Sequence, residues 1–423
     1  MATAAKPETE KVETIVTDVS ETPHPWDVSV SDIYVEDRWQ PIFKEMREKA
    51  PINKVVGSAF GDYWNVTTYK EIQHIEALPD LYSSAKGITI ITDPKDLPED
   101  LNIQLPMFIA MDRPEHTEQR RVIAPAFTPT EMDRMTDEVR GRTAEILDAL
   151  PIGEPFDWVD TVSIELTTQM LAILFDFPWE DRRKLTEWSD WMGDVESSLT
   201  IESRREQLEH VYEAGAYFQR LWDERLEKGE APDLISRMIH SEMRDMDQFT
   251  FMGNLMLLIV GGNDTTRNSM SGYAYGMSQF PEQRKKLEDD PALIPAAVQE
   301  IIRWQTPLAH MRRTVTEDHL MFGHEVKEGD AIILWYISGN RDENFFDRPD
   351  DIWLERPKPG RHLAFGYGIH RCVGARLAEL QLRLLLEEMA KRRLRVNVIG
   401  EPERVSACFV HGYKKMQVEL STY

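Results

Sequence analysis

Cysteine is scarce in this sequence. Only Cys372 and Cys408 occur among 423 residues. That excludes a disulfide framework and a zinc site built on several thiolates. Positive charge is also in short supply: 49 Lys and Arg stand against 74 Asp and Glu, a formal charge of −25. The basic footprint needed for sequence-independent nucleic-acid binding is therefore missing, and docking on anionic lipid is disfavoured. Long apolar runs are absent as well. No segment approaches the roughly 18 consecutive apolar residues of a membrane span, and the richest, "FTFMGNLMLLIVGG", contains Asn254 and ends in glycines. The first residues, "MATAAKPETEKVETIVTDVSETPHPW", are polar and acidic, without the apolar stretch of a signal peptide or anchor. The expectation is a cytoplasmic protein with a disordered tail over residues 1–25 and one domain over 26–423.

Hydrophobic residues make up 41% of the chain, enough for a large core. Helical periodicity dominates. Trp39 opens an amphipathic helix that leads into a strand, "INKVV", and "YWNVTTY" alternates like a second strand of the same sheet. Helical spacing runs from Glu131 through Leu226, then in one long helix from Thr250 to Gln279, and again from Pro291 to Trp304. Beyond Pro307 come short strands and turns, an irregular Pro- and Arg-rich stretch from Phe345 to His362, a helix from Cys372 to about Arg392, and a final hairpin-like region. The pattern predicts a mainly α fold with small β-sheets at its edges.

One segment gathers unusual chemistry. "HLAFGYGIHRCVGARLAE", His362–Glu379, places Cys372 among glycines and basic residues, at the start of an amphipathic helix. Most free cysteines are small buried hydrophobes. At a helix N-terminus, unpaired N–H groups and the helix dipole favour a thiolate instead. A phosphatase-type loop would need an arginine six residues on, where Ala378 stands. A cysteine hydrolase would need a positioned histidine base, and His370 is too near in sequence. The dinucleotide fingerprint G-x-G-x-x-G fails because Arg371 occupies the third glycine position. An axial thiolate on haem iron is the remaining chemistry, and the glycines suit close approach to a flat macrocycle.

The spacing Phe365-x-x-Gly368-x-x-x-Cys372-x-Gly374 resembles the haem-binding loop of the cytochrome P450 haem-thiolate monooxygenases. Three more motifs follow that family's order. "VGGNDTTRNS" interrupts the long helix with residues that are poor helix formers, each glycine costing about 1 kcal/mol. It resembles the family's oxygen-binding groove, and apolar periodicity resuming beyond it points to a kink. Glu300 and Arg303, an ordinary surface pair in isolation, resemble members of a buried structural trio completed by Arg356 in "WLERPKPGRH". "RPEHTEQRRVIAPAFTP" places His116 and Arg120 on one helical face, resembling contacts to haem propionates.

The resemblance implies a triangular helical prism whose long central helix crosses a haem b. Cys372 would ligate the iron, with Phe365, Gly366 and Gly374 around it and His116, Arg120, Arg313 and His370 at the propionates. Arg312 is an alternative to Arg313. Asp264 and Thr265 would be the catalytic pair that delivers protons to dioxygen. The chain has no cysteine cluster for iron–sulfur ligation and no flavin-type glycine motif, so electrons are expected from a ferredoxin and an NAD(P)H-dependent reductase. Arg371 and Arg376 would offer the docking face of a monomer.

"TPLAHMRRT", "WYISGNRDE" and "FVHGYKKM" further resemble bacterial members that hydroxylate the terminal carbon of medium-chain n-alkanes or fatty acids. Expected substrate walls are Leu257, Val260 and Gly261 on the long helix, and Leu308, Ala309 and Met311 after Pro307. Phe108 and Phe409 complete them. A terpenoid or sterol side chain is the alternative substrate, and a non-catalytic haem sensor the alternative from another class.

Overall fold

The computed structural model describes residues 24–91, 97–103, 105–194, 196, 199–231, 233–241 and 246–423. Most of the expected tail, residues 1–23, lies outside the described residues. Helices form the body, and small sheets flank it.

The long helix runs Gln248–Gln279 without interruption. Its start is set by Asp247, whose carboxylate accepts from the N–H groups of Phe249 and Thr250 at 3.0 and 3.1 Å, a cap that contributes about 1 kcal/mol. The expected kink at its polar centre does not appear as a break. Side chains there bond to the helix's own carbonyls: Thr265 Oγ1 to Gly261 O at 2.6 Å, Asn268 Nδ2 to Asp264 O at 2.8 Å and Ser269 Oγ to Thr265 O at 2.8 Å. This satisfies polar groups that would otherwise compete with the helix. Met256 and Ile259 join one apolar cluster, and Met270 and Ala274 join a second.

The largest sheet has five strands in the order Ile52–Ser58, Gly61–Val66, Ala331–Leu334, Met311–Val315, Tyr82–Ser83. Its one parallel pair joins Gly61–Val66 to Ala331–Leu334, so it couples the early part of the chain to the segment after Pro307. A three-stranded sheet pairs Gln417–Thr422 with Pro155–Asp157 and Leu394–Val398. The Pro155–Asp157 strand interrupts a stretch read from sequence as helical. It pairs with residues over 250 positions away, a partner that local periodicity does not reveal. No described helix is long and apolar enough to cross a membrane.

The Glu300–Arg303–Arg356 trio is fully internal. Arg303 donates to both oxygens of Glu300 at 2.8–2.9 Å, and Arg356 Nε does so at 2.9–3.0 Å. Arg303 also donates to the carbonyls of Asn340, Pro349 and Asp351, each at 2.8 Å. Asn340 in turn accepts, through Oδ1, from Leu363 N at 2.7 Å. The trio thereby holds the segment that enters the cysteine loop. Glu300→Ala leaves two buried guanidinium groups without their carboxylate. The expected loss is about 3–5 kcal/mol, read as a lower midpoint in thermal unfolding.

Candidate functional site: the cysteine cavity

The loop before Cys372 is shaped by two glycines in the left-handed region, Gly366 at φ +67° and Gly368 at φ +68°. Gly366 N donates to Leu363 O, and Cys372 N donates to Phe365 O, both at 2.8 Å. A Cβ at Gly368 would overlap the backbone carbonyl of Glu76, at the end of the Tyr69–Glu76 helix. Glycine is required here by both conformation and space. The helix after the loop begins at Ala375, with Gly374 at its N-cap, so Cys372 lies three residues ahead of it.

Cys372 opens onto an internal cavity of about 300 Å3, at the small end of the range for ligand sites. Its surface is exposed to that cavity and enclosed by protein elsewhere. Burial pushes the thiol above its ordinary value. The Gly374 N–H and the nearby Arg120 and Arg371 offset part of this. A metal cation supplies the missing charge and deprotonates a coordinating thiol.

The cysteine side of the cavity carries cations and unpaired donors. Arg120 lines it and donates to Arg371 O. Arg313 lines it too, and its strand turns that residue inward, whereas Arg312 is not among the lining residues. His116 and His370 face each other with ring centroids 4.3 Å apart, and no ring nitrogen of either has a hydrogen-bond partner. Burial, with Arg313 the next cause, holds His370 down to about 2. Burial and then Arg120 hold His116 down to about 4. The neutral His370 imidazole, with an N–H to give, beside Arg120 and Arg313 on the cavity wall makes a site for carboxylates. Phe365, Gly366 and Gly374 line the same space, while His116 stands behind His370 rather than on the wall. This donor set fits a haem: one thiol for the iron and a cationic rim for propionates.

Sequence reasoning missed the residues that hold Arg313. Glu76, fully buried, accepts from Arg313 at 3.0 Å and from the Tyr336 hydroxyl at 2.5 Å. Burial raises the Glu76 carboxyl, with Arg313 opposing. Only the fold brings positions 76, 313 and 336 together, and nothing local marks Glu76.

Across the cavity, Gly261 faces open space, and Gly262 packs so closely on Leu171 that a Cβ would lie 2.8 Å from its side chain. Thr265 lines the cavity; Asp264 does not. The Asp264 carboxylate turns to the other face of the helix, 3.0 Å from Arg267, which also pairs with Asp190 at 2.5 Å. A Cβ on Gly193 would sit 2.9 Å from Asp264 Oδ2, so that glycine makes room for it. Burial pushes Asp264 up to about 6, with Arg267 opposing and Asp190 adding to the rise. Asp190 is half exposed, so this acid connects to the surface. Arg267 and Asp190 are the second pair that sequence reasoning missed.

The expected apolar walls are mostly in place. Leu257, Val260, Gly261, Leu308, Met311, Phe108 and Phe409 all line the cavity. Ala309 does not. It is fully buried in the core cluster of Ile333 and Trp335, behind Phe409, and its backbone N–H donates to Phe409 O while its carbonyl accepts from Ile337 N. Met107, Ile109, Met192 and Ile88 are additional lining residues. A larger open groove beside Trp179, about 670 Å3, shares only Leu174 with this cavity, and its charges are paired, as in Arg225–Asp233 and Arg237–Glu131.

Residues 153–397 match the family model of cytochrome P450. The chain belongs to the cytochrome P450 family of haem-thiolate monooxygenases. Among solved structures it is similar to cytochrome P450-153 from Novosphingobium aromaticivorans, at 61% identity and TM-score 0.89, covering 94% of this chain and 100% of that one. It is also similar to CYP153D17 from Sphingomonas sp. PAMC 26605, at 63% identity and TM-score 0.90, covering 94% and 99%. Linalool 8-monooxygenase of Pseudomonas putida is 31% identical over 93% of this chain and 98% of its own. The methyl-branched lipid omega-hydroxylase of Mycobacterium tuberculosis is 31% identical over 96% and 99%.

Gly368→Ala tests the loop geometry. A left-handed backbone and an overlap with Glu76 O are expected to cost about 1–3 kcal/mol. Haem retention on a desalting column should fall with it.

Proposed function

We propose that this monooxygenase hydroxylates the terminal carbon of a medium-chain n-alkane or fatty acid, with haem b bound through Cys372. The carrying observation is the division of the cavity. Its cations, Arg313 and Arg120, gather with His370 on the cysteine side, whereas Leu257, Val260, Met107, Phe108, Leu308 and Phe409 form an apolar wall. No Lys or Arg stands in that wall among the described residues, which favours a neutral alkane over a fatty acid. A relative named for omega-hydroxylation of a methyl-branched lipid supports attack at a chain end.

Haem held by a thiolate supplies the dioxygen chemistry, because such ligation favours O–O cleavage. The chain's residues supply position and protons. A methyl C–H is the strongest in an alkane, so terminal attack requires a narrow wall that admits the chain end first. Thr265 Oγ1 holds a proton at the cavity face. Asp264 takes protons up from the Arg267–Asp190 side, and its raised carboxyl lies close enough to neutrality to gain and release them. Electrons come from a ferredoxin and its NAD(P)H-dependent reductase, with the exposed Arg371 and Arg376 beside the cysteine loop as their contact. Such partners place the chain in the cytoplasm.

The ferric enzyme is titrated with octane, octanoic acid and linalool, following the spin-state shift of the haem band. Octane is expected to produce the largest shift. A shift with linalool alone would replace the alkane reading with the terpenoid one. Cys372→Ser should lose the carbonyl-difference band, and a normal band would remove Cys372 as ligand.

Thr265→Ala should keep NADH oxidation running while product per NADH falls and hydrogen peroxide rises. Asp264→Asn should slow turnover about 100-fold. Both are read by comparing NADH, peroxide and alcohol in the same reaction.

A further inference from the structure

From Phe251 to Val260 the long helix is apolar except for one side chain. In "FMGNLMLLIV", Asn254 is fully buried in the middle of a hydrophobic cluster. A leucine there would bury more apolar surface, so the amide needs a reason. Both of its ends are used. Oδ1 accepts from Phe108 N at 2.8 Å, and Nδ2 donates to Gln119 Oε1 at 2.7 Å. Phe108 begins a 3-10 turn, Phe108–Ala110, and Gln119 lies on the Glu115–Ile123 helix that carries His116 and Arg120. One side chain thus ties together three elements.

The preceding residue acts on the same loop. A Cβ on Gly253 would overlap the carbonyl oxygen of Pro106 and come within 2.8 Å of its carbon. Glycine at this place lets the Leu105–Met107 backbone lie directly on the long helix. The residues delivered by that contact, Met107, Phe108 and Ile109, all line the cavity, next to Leu257 and Val260 one and two turns along.

We propose that Gly253 and Asn254 are positioning residues that set the Met107–Ile109 wall of the cavity and so its fit to chain-like ligands. The proposal rests on the haem-site reading but not on the choice of alkane as substrate. An unanchored Phe108 turn leaves a buried N–H without an acceptor and lets the wall retreat. Long ligands that touch the wall then lose affinity. Small ligands that reach only the haem do not.

Two probes separate these effects. 1-Methylimidazole and 1-octylimidazole share the nitrogen that binds haem iron and differ only in the chain that reaches the wall. They are titrated optically into ferric holoenzyme of wild type, Asn254→Ala, Asn254→Asp and Gly253→Ala. Asn254→Ala and Gly253→Ala are expected to weaken 1-octylimidazole by about fivefold to tenfold and to leave 1-methylimidazole unchanged. Asn254→Asp keeps an acceptor for Phe108 N, and the Gln119 amide can turn to donate, so octyl affinity should stay near wild type. Octyl affinity unchanged in Asn254→Ala, or equal loss for both probes, overturns the proposal. The Asn254 pair decides if Gly253→Ala fails to fold. A wild type that gives no shift with 1-methylimidazole removes the haem reading and this proposal together. Octane failing to bind removes only the alkane reading.

Discussion

The site depends on how the cysteine loop is laid against the end of the Tyr69–Glu76 helix. At Gly368 the two backbones are so close that no side chain fits between them, and the loop adopts a left-handed turn at that residue. The contact places the Glu76 carboxylate under Gly366 and within reach of Arg313 and Tyr336. One close approach therefore determines where the sulfur points and where the cation beside it is held. On its other side the loop is held by Asn340, which is itself held by Arg303. Backbone contact and a buried ion network act on the same segment from two directions.

Buried charge recurs through the molecule, and each instance has a different consequence. Around Glu300 the charges are fully compensated by hydrogen bonds, and the arrangement is structural. Around His116 and His370 the donors are left without partners, which is costly unless a ligand completes them. Around Asp264 compensation is partial, so the carboxyl titrates nearer neutrality than an exposed aspartate does. These three degrees of compensation separate scaffold, cofactor rim and proton supply.

Much of the site is legible in the residues alone. Cys372, Phe365, Gly366 and Gly374 sit within ten residues, so short-range spacing carries their relation. The long helix is legible too, as its apolar periodicity continues on both sides of the polar centre. Placement of single side chains is less legible. Ala309 has the residue type of a wall, yet it is fully buried in the core, with its backbone bonded to Phe409 and Ile337. Adjacent helical positions diverge by about 100°, so the Asp264 carboxylate stands off the cavity that Thr265 lines and meets Arg267, itself paired with Asp190.

The sequence by itself determined the family, the fold class and the identity of the groups able to do chemistry, since these depend on residue type and on spacings of a few positions. Only the tertiary structure decided which of Arg312 and Arg313 turns inward, that Glu76 and Tyr336 hold it, that Arg267 and Asp190 connect Asp264 to the surface, and that Asn254 joins three elements behind the substrate wall. Each of these is a contact between residues far apart in the chain. Their geometry follows from close packing and from the requirement that buried polar groups find partners, and neither leaves a mark on the local pattern of residues.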